Sequence, residues 1–220
     1  MLTAVARWVI PAAFLNLINR SIARSKSYRK RLVGLSSDYE EFESDDWSLF
    51  RIAISQCHNL LEFGCGNSTK FVAENFPCNI RSVETDANWA AAVSSENLPS
   101  VEIIHVDLGP VGTWGRPLDY AQRNQFASYL SAGFAGDFVP DVVLIDGRFR
   151  VAAFCFVLIN TAVGTKIVFD DYAVRPWYKV VEEIVAPTHI GSRQALFVRP
   201  ENFDLNLARE MMRDFLMVMD

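Results

Sequence analysis

From residue 59 onward, short apolar runs alternate with stretches whose apolar residues recur at helical spacing. The runs 141–145 and 166–169 are nearly continuous in apolar residues, which is typical of strands buried on both faces of a parallel sheet. Strands separated by helices predict right-handed βαβ units. The predicted strands are 59–63, 80–84, 101–106, 141–145, 166–169, 188–190 and 195–198, and the predicted helices are 70–75, 87–95, 120–131, 150–161, 177–185 and 205–217. This order predicts a doubly wound, mostly parallel α/β sheet.

The chain divides into an N-terminal segment, 1–45, and an α/β domain, 46–220. Residues 1–31 contain seven basic residues, no acidic residue and several large apolar side chains, whereas residues 38–46 contain six acidic residues and no basic one. Two interpretations of the first segment stay open. It forms a helix that packs on the domain or on a second subunit, which predicts a homodimer, or it lies on anionic lipid as a peripheral membrane contact.

Composition narrows the classes of protein that the 220 residues allow. Half of the chain is hydrophobic, which is enough for a full core, and the net charge of −5 argues against a nucleic-acid binder. Four cysteines without a C-x-x-C pair are typical of reduced thiols in a cytoplasmic protein. The three histidines lie far apart in sequence and predict no zinc site.

Acidic residues follow the predicted strands, at the sheet edge where open parallel sheets bind their ligands. One acid after a strand is an ordinary turn or capping residue, but five strand ends in succession point to one crevice. The first strand also leads into a turn with Gly64 and Gly66, which allow close approach of a ligand to the backbone. The acids are Glu62, Glu84, Asp107, Asp146, Asp170 and Asp171.

The turn differs from a dinucleotide fingerprint, because Thr69 stands where G-x-G-x-x-G has its third glycine. Glu84 lies 18 positions after Gly66, close to where a ribose-binding acid is expected. A nicotinamide-dependent oxidoreductase therefore stays an alternative. A catalytically silent module that keeps the crevice is another.

On these residues, positions 59–200 resemble the class I S-adenosylmethionine-dependent methyltransferases, which have a Rossmann-like sheet. The resemblance implies seven strands with an antiparallel last strand and S-adenosyl-L-methionine as cofactor, and the first segment of the chain is expected to precede this domain as an N-terminal helical extension. The segments 141–150 and 169–172 are also similar to bacterial methyltransferase-like proteins of unassigned substrate. The cofactor-binding residues that the resemblance implies are Glu62, Gly64, Gly66, Ser68, Thr69, Glu84, Asp107 and Asp146, with Asp107 near the adenine.

The acids after the fourth and fifth predicted strands suggest a second component of the site. Carboxylates held close together repel unless a cation or a proton intervenes, and oxygen ligands suit Mg²⁺. Asp146, Asp170 and Asp171 resemble the acids of metal-dependent O-methyltransferases that act on sugars and phenols, which implies that all three are metal ligands and that Asp146 takes up the acceptor's proton. The alternative is that these acids only cap a helix and form a turn.

The acceptor is expected to be a small molecule or a glycan whose hydroxyl is methylated. Arg148 and Arg150 suit a carboxylate or phosphate on it, unless they are solvated or pair with the acids of the cleft. Tyr172 is the third candidate for contact with the substrate. The segment 107–119, rich in glycine and proline, is a candidate lid over the cofactor.

Overall fold

The computed structural model describes residues 47–96 and 98–219. Its seven strands form one sheet in the order β3-β2-β1-β4-β5-β7-β6. The strands are β1 (Asn59–Phe63), β2 (Asn79–Glu84), β3 (Val101–His105), β4 (Val142–Ile145), β5 (Lys166–Phe169), β6 (His189–Ile190) and β7 (Ala195–Val198). The helices are α1 (Ser48–Ile54), α2 (Asn67–Asn75), α3 (Ala87–Ser94), α4 (Phe126–Ala132), α5 (Arg150–Asn160) and α6 (Leu205–Phe215), with 3₁₀ turns at Thr113–Gly115, Arg123–Gln125 and Pro176–Glu183.

The first five strands are parallel to one another, and β7 is antiparallel to both β5 and β6. The chain thus has a seven-stranded, mostly parallel sheet that is doubly wound and ends in an antiparallel strand. This confirms the fold class expected from the sequence.

Both faces of the sheet are covered, because neighbouring residues of a strand point to opposite sides. In β1, Leu60 packs into a cluster with α1 and α2, whereas Leu61 belongs to the larger cluster with α4, α5 and α6. Both side chains are fully buried. Double coverage explains why the strands read as apolar runs rather than as alternating patterns.

Some helices of the structure differ from the helices predicted from the sequence. Helix α1 was not predicted, although it buries Leu49 and Phe50 against the sheet. The helix expected at 177–185 is 3₁₀ and begins at Pro176, whose fixed φ suits a helix start. The segment 1–45 lies outside the described residues, so its helical nature and its dimer or membrane contact stay predictions. In residues 47–96 and 98–219, none of the helices combines the length and hydrophobicity that a membrane span needs.

Candidate functional site

The strand order places β1 between β2 and β4, so the chain leaves β1 at the point where the order of strands reverses. Gly64 follows β1 with a φ of 91°, and a Cβ at this position would lie 3.0 Å from the Cα of Gly147, just after β4. Its N–H donates to the carbonyl oxygen of Val83 at 2.8 Å. The turn therefore requires glycine, and it lies in the crevice that binds ligands in open α/β sheets.

Glu62, two residues before Gly64, fixes this turn through buried hydrogen bonds. It is fully buried and accepts hydrogen bonds from the hydroxyls of Ser68, Thr69 and Ser82, the last at 2.6 Å. Burial raises the pKa of the Glu62 carboxyl, while the three hydroxyl donors oppose that shift. Thr69 Oγ1 also accepts the N–H of Gly66 at 2.8 Å, which fixes the start of α2 against the turn.

This geometry corrects one expectation from the sequence. Ser68 and Thr69 direct their hydroxyls at Glu62 rather than into the crevice. Glu62 itself is fully buried. The three side chains therefore fix the glycine turn, because a buried carboxylate needs donors and finds them on the adjoining helix, and their contact with the cofactor stays a prediction.

Glu84 ends β2 directly beside the glycine turn. Its Oε2 accepts the N–H of Cys65 at 3.2 Å, and its Oε1 accepts the N–H groups of Thr85 and Asp86 at 2.7 and 2.9 Å. The side chain is buried and held in one orientation by these backbone donors. Each carboxylate oxygen carries two lone pairs, and two N–H groups already use those of Oε1, so Oε2 is the oxygen that can accept a further hydrogen bond from a hydroxyl.

Trp89 is a site residue that the sequence reasoning missed. Its indole Nε1–H donates to the carbonyl oxygen of Cys65 at 2.6 Å, and the ring lies about 3.7 Å from the position of a Cβ on Gly66. Asp86 caps the helix that carries it by accepting the N–H groups of Asn88 and Trp89. The signal in the sequence was an aromatic residue in the first turn of the helix that follows Glu84, the acid at the position expected to bind a ribose.

The segment after β3 covers Glu84, at the place predicted for a lid. Gly115, with a φ of 68°, lies so close that a Cβ would come within 2.9 Å of Glu84 Oε1, and its carbonyl oxygen accepts the Thr85 hydroxyl at 2.6 Å. The neighbouring Trp114 also has a left-handed backbone (φ 62°), and its side chain is 83% exposed. Asp107 is exposed and accepts the N–H of Gly109, so its visible role is to form the turn into this segment.

The three acids after β4 and β5 meet as the sequence predicted. Asp146, Asp170 and Asp171 each place one carboxylate oxygen within 4.8 Å of the others. Asp170 and Asp171 are buried, whereas the side chain of Asp146 is 39% exposed. Asp146 is therefore the member of this acidic cluster that faces solvent.

Three arginines neutralise the cluster. Arg150 lies 2.9 Å from Asp146 and 3.2 Å from Asp171, and Arg175 lies 2.9 Å from Asp171. Arg193 lies 2.7 Å from Asp170 Oδ2 and 2.9 Å from Asp171 Oδ1. Three carboxyl groups thus face three guanidinium groups, and both oxygens of Asp170 and of Asp171 already accept hydrogen bonds or ion pairs.

This donor set does not fit a divalent cation in the arrangement seen. Mg²⁺ needs carboxylate oxygens that point at the ion, but Arg193 lies in ion-pair contact with both Asp170 and Asp171, and Gln194 Nε2 also donates to Asp170 at 3.0 Å. An ion would have to displace at least one guanidinium group. The cluster is therefore a network of acids and arginines.

The members of the network differ in proton affinity. Burial, together with the neighbouring Asp170, raises the pKa of Asp146 to about 8 against the opposing effect of Arg150. Asp170 is also buried, but hydrogen bonds from Arg193 and Gln194 lower the pKa of its carboxyl. The pair thus holds one carboxylate and one group that gains and loses a proton near neutral pH.

Two residues that were expected to contact the substrate are instead buried and paired with groups of the protein. Arg150 is almost fully buried and pairs with the acids of the cleft, which was the alternative interpretation. Tyr172 is fully buried between the rings of Phe169 and Phe197, and its hydroxyl donates to Glu182. Only Arg148 of the three is partly exposed, and its backbone N–H donates to the Tyr129 hydroxyl at 3.2 Å.

No protein-family model and no curated protein matches the chain. Among solved structures, it is similar to a methyltransferase-like protein from Silicibacter pomeroyi, with 27% identity over 96% of this chain and 97% of that one, at a TM-score of 0.65. Cofactor-bound Rv0187 from MTB matches with 16% identity over 84% of this chain and 91% of that one, at a TM-score of 0.47. An O-methyltransferase from Bacillus cereus in complex with SAH matches with 16% identity over 86% and 92%, at 0.45.

The first of these similarities covers nearly the whole length of both chains. The resemblance predicted from the sequence is therefore confirmed. The chain has the Rossmann-like methyltransferase fold and is similar over almost its whole length to a bacterial methyltransferase-like protein.

Proposed function

We propose that the protein transfers the methyl group of S-adenosyl-L-methionine to a hydroxyl of a small molecule or a sugar. One observation carries the proposal. Glu84 lies beside the glycine turn, and the half-exposed Asp146 follows β4, the strand next to β1. A carboxylate suited to a ribose and a carboxyl suited to proton uptake thus share one crevice.

The residues of the turn fit a nucleoside cofactor. The absence of a side chain at Gly64 lets the turn after β1 pack directly against the backbone of Gly147 after β4, which keeps the turn tight at the edge of the crevice. Glu84, held by three backbone N–H groups, would accept a hydrogen bond from a ribose hydroxyl at Oε2. The cofactor supplies an electrophilic methyl group on a sulfonium. Because Gly115 lies against Glu84, the 113–115 turn has to shift when a ribose binds.

Proton removal from the acceptor falls to Asp146. A base is most effective when its pKa lies near the working pH, and the partial burial of Asp146, together with the neighbouring Asp170 and Asp171, raises its pKa to about 8. Arg150, ion-paired to Asp146 at 2.9 Å, fixes the orientation of the carboxyl. The acceptor hydroxyl would donate to Asp146 and lose its proton to that group as its oxygen is methylated. No step of this proposal uses Mg²⁺, because the arginines occupy the acidic cluster.

Calorimetric titration with S-adenosylhomocysteine tests the proposal. The wild-type protein should bind, and Glu84→Gln should bind at least about 10-fold more weakly, because a neutral amide is a poorer partner than a carboxylate for the ribose hydroxyl and the backbone N–H groups. Glu74→Gln on the exposed surface of α2 is the matched control and should bind like wild type. Absence of binding by the wild-type protein, or binding of NADH in its place, would overturn the proposal.

A further inference from the structure

Two of the four cysteines form a buried pair far from the glycine turn. Cys57 precedes β1 and Cys78 precedes β2, and their side chains are 6% and 2% exposed. Their sulfur atoms are 2.6 Å apart. The pair lies at the amino ends of these parallel strands, whereas the glycine turn and Glu84 follow their carboxyl ends.

The distance is shorter than the contact of two non-bonded sulfur atoms, and a disulfide bond is about 2.0 Å long. The backbone beside each cysteine is already fixed, because the N–H of Asn79 donates to the carbonyl oxygen of His58 at 2.9 Å and Asn59 pairs with Asn79 in the sheet. The strands beside the two cysteines are therefore already paired, and the gap that remains between the sulfurs is short.

We propose that Cys57 and Cys78 are a modification site at which hydrogen peroxide forms an intramolecular disulfide. Peroxide is the oxidant proposed because sulfurs that are 6% and 2% exposed exclude a bulky one. The thiolate of Cys78 attacks one peroxide oxygen, the O–O bond breaks, and the departing hydroxide takes up a proton to leave as water. The sulfur of Cys57 then attacks the sulfenic acid on Cys78, and its proton leaves with the hydroxyl group as a second water. Two thiols lose two electrons, and one peroxide becomes two water molecules.

The environment assigns different roles to the two sulfurs. A hydrogen bond from Cys57 lowers the pKa of Cys78, whereas that hydrogen bond and burial raise the pKa of Cys57. Asp141, whose Oδ1 lies 3.5 Å from the Cys57 sulfur, further disfavours a thiolate there. Cys78 is therefore the sulfur that meets the oxidant, and Cys57 is the resolving thiol.

The bond would close a loop that contains β1, the glycine turn and α2. The two cysteines are 21 positions apart. Cross-linking a loop of this length restricts the unfolded chain and stabilises the folded state. The oxidised protein should therefore unfold at a higher temperature than the reduced protein, by about 5 to 10 °C.

The experiment treats the purified, fully reduced chain with a small excess of hydrogen peroxide, followed by unfolding and alkylation. Mass spectrometry should find two alkylated cysteines in place of four, one peptide pair joining Cys57 to Cys78, and full alkylation after dithiothreitol. Cys57→Ser and Cys78→Ser should lose both the cross-link and the rise in melting temperature, and Cys65→Ser should retain them.

Four alkylated cysteines after peroxide treatment would overturn the proposal. So would a sulfinic acid on Cys78 without a cross-link, or a disulfide that includes Cys65 or Cys155. The wild-type measurement decides the matter even if a serine variant fails to fold. Because the readouts are a covalent bond and a melting temperature, they do not depend on cofactor binding.

Discussion

The indole N–H of Trp89 donates a 2.6 Å hydrogen bond to the carbonyl oxygen of Cys65, in the middle of the glycine turn. This bond joins the first turn of α3 to the loop between β1 and α2. Glu84 holds the same residue from the other side, through the N–H of Cys65. The turn is thus fixed by two neighbours that both belong to the β2–α3 unit.

Replacing Trp89 should loosen the turn without unfolding the domain. Trp89→Phe keeps an aromatic ring but removes one hydrogen bond worth about 1 kcal/mol, so S-adenosylhomocysteine should bind about 5-fold more weakly in a calorimetric titration. Trp177→Phe is the matched control, since Trp177 is similarly exposed but lies in the segment after β5. Equal affinity of Trp89→Phe and wild type would show that the bond does not position the turn for a ligand.

Of the three arginines, Arg193 should be the one whose removal allows the acidic cluster to bind a cation. In Arg193→Gln, buried Asp170 and Asp171 lose the guanidinium that bridges them, and the free energy of unfolding should fall by about 2 kcal/mol. Lys70→Gln, which breaks an exposed ion pair with Glu96, should cost less than about 1 kcal/mol.

The same variant tests why a divalent cation does not fit the wild-type cluster. Added Mg²⁺ should raise the melting temperature of Arg193→Gln and leave that of the wild type unchanged, because only the variant offers uncommitted carboxylate oxygens. A clear rise for the wild-type protein at millimolar Mg²⁺ would restore the metal site predicted from the sequence.

Much of this site could be predicted because its chemistry is local in sequence. Glu84 and Asp146 end apolar strands, and parallel strands bring their carboxyl ends to one edge whatever the details of packing. The partners of the acids could not be predicted in this way. Arg193 lies 23 residues after Asp170 on the hairpin of the antiparallel strand, and no spacing rule relates the two positions.

Residues that were all predicted to line the site also differ in how deeply their side chains are buried. Tyr172 follows two cleft acids, yet its ring completes an aromatic cluster in the core. Ser68 and Thr69 were expected to bind the cofactor, yet their hydroxyls donate to the buried Glu62. Whether a polar side chain faces the crevice or a partner in the core depends on how deeply it is buried. That burial is determined only when the sheet and its helices pack together.

Asp146 should make stability depend on pH with a definite sign. Its pKa of about 8 in the folded protein lies above the value of about 4 in an unfolded chain, so the folded state keeps a proton that the unfolded state has lost. Its stabilising contribution is complete below about pH 4 and is lost as pH rises toward 8. In urea unfolding at several pH values, Asp146→Asn should remove this part of the slope, and exposed Asp137→Asn should retain it. Parallel curves for Asp146→Asn and wild type would contradict the raised pKa.

Alanine variants of Gly64 and Gly136 distinguish the cost of backbone strain from the cost of steric crowding in the crevice. Both have a positive φ, 91° and 67°, but a Cβ at Gly136 would meet no atom within 4 Å, whereas one at Gly64 would meet the backbone of Gly147 at 3.0 Å. Gly136→Ala should therefore lower the free energy of unfolding by about 1 kcal/mol, the cost of the left-handed backbone alone. Gly64→Ala should lower it by about 2 kcal/mol or more, because β1 and β4 must also move apart, and it should abolish binding of S-adenosylhomocysteine. If the two variants lost the same stability and Gly64→Ala still bound the ligand, the close approach at the switch point would have no part in forming the site.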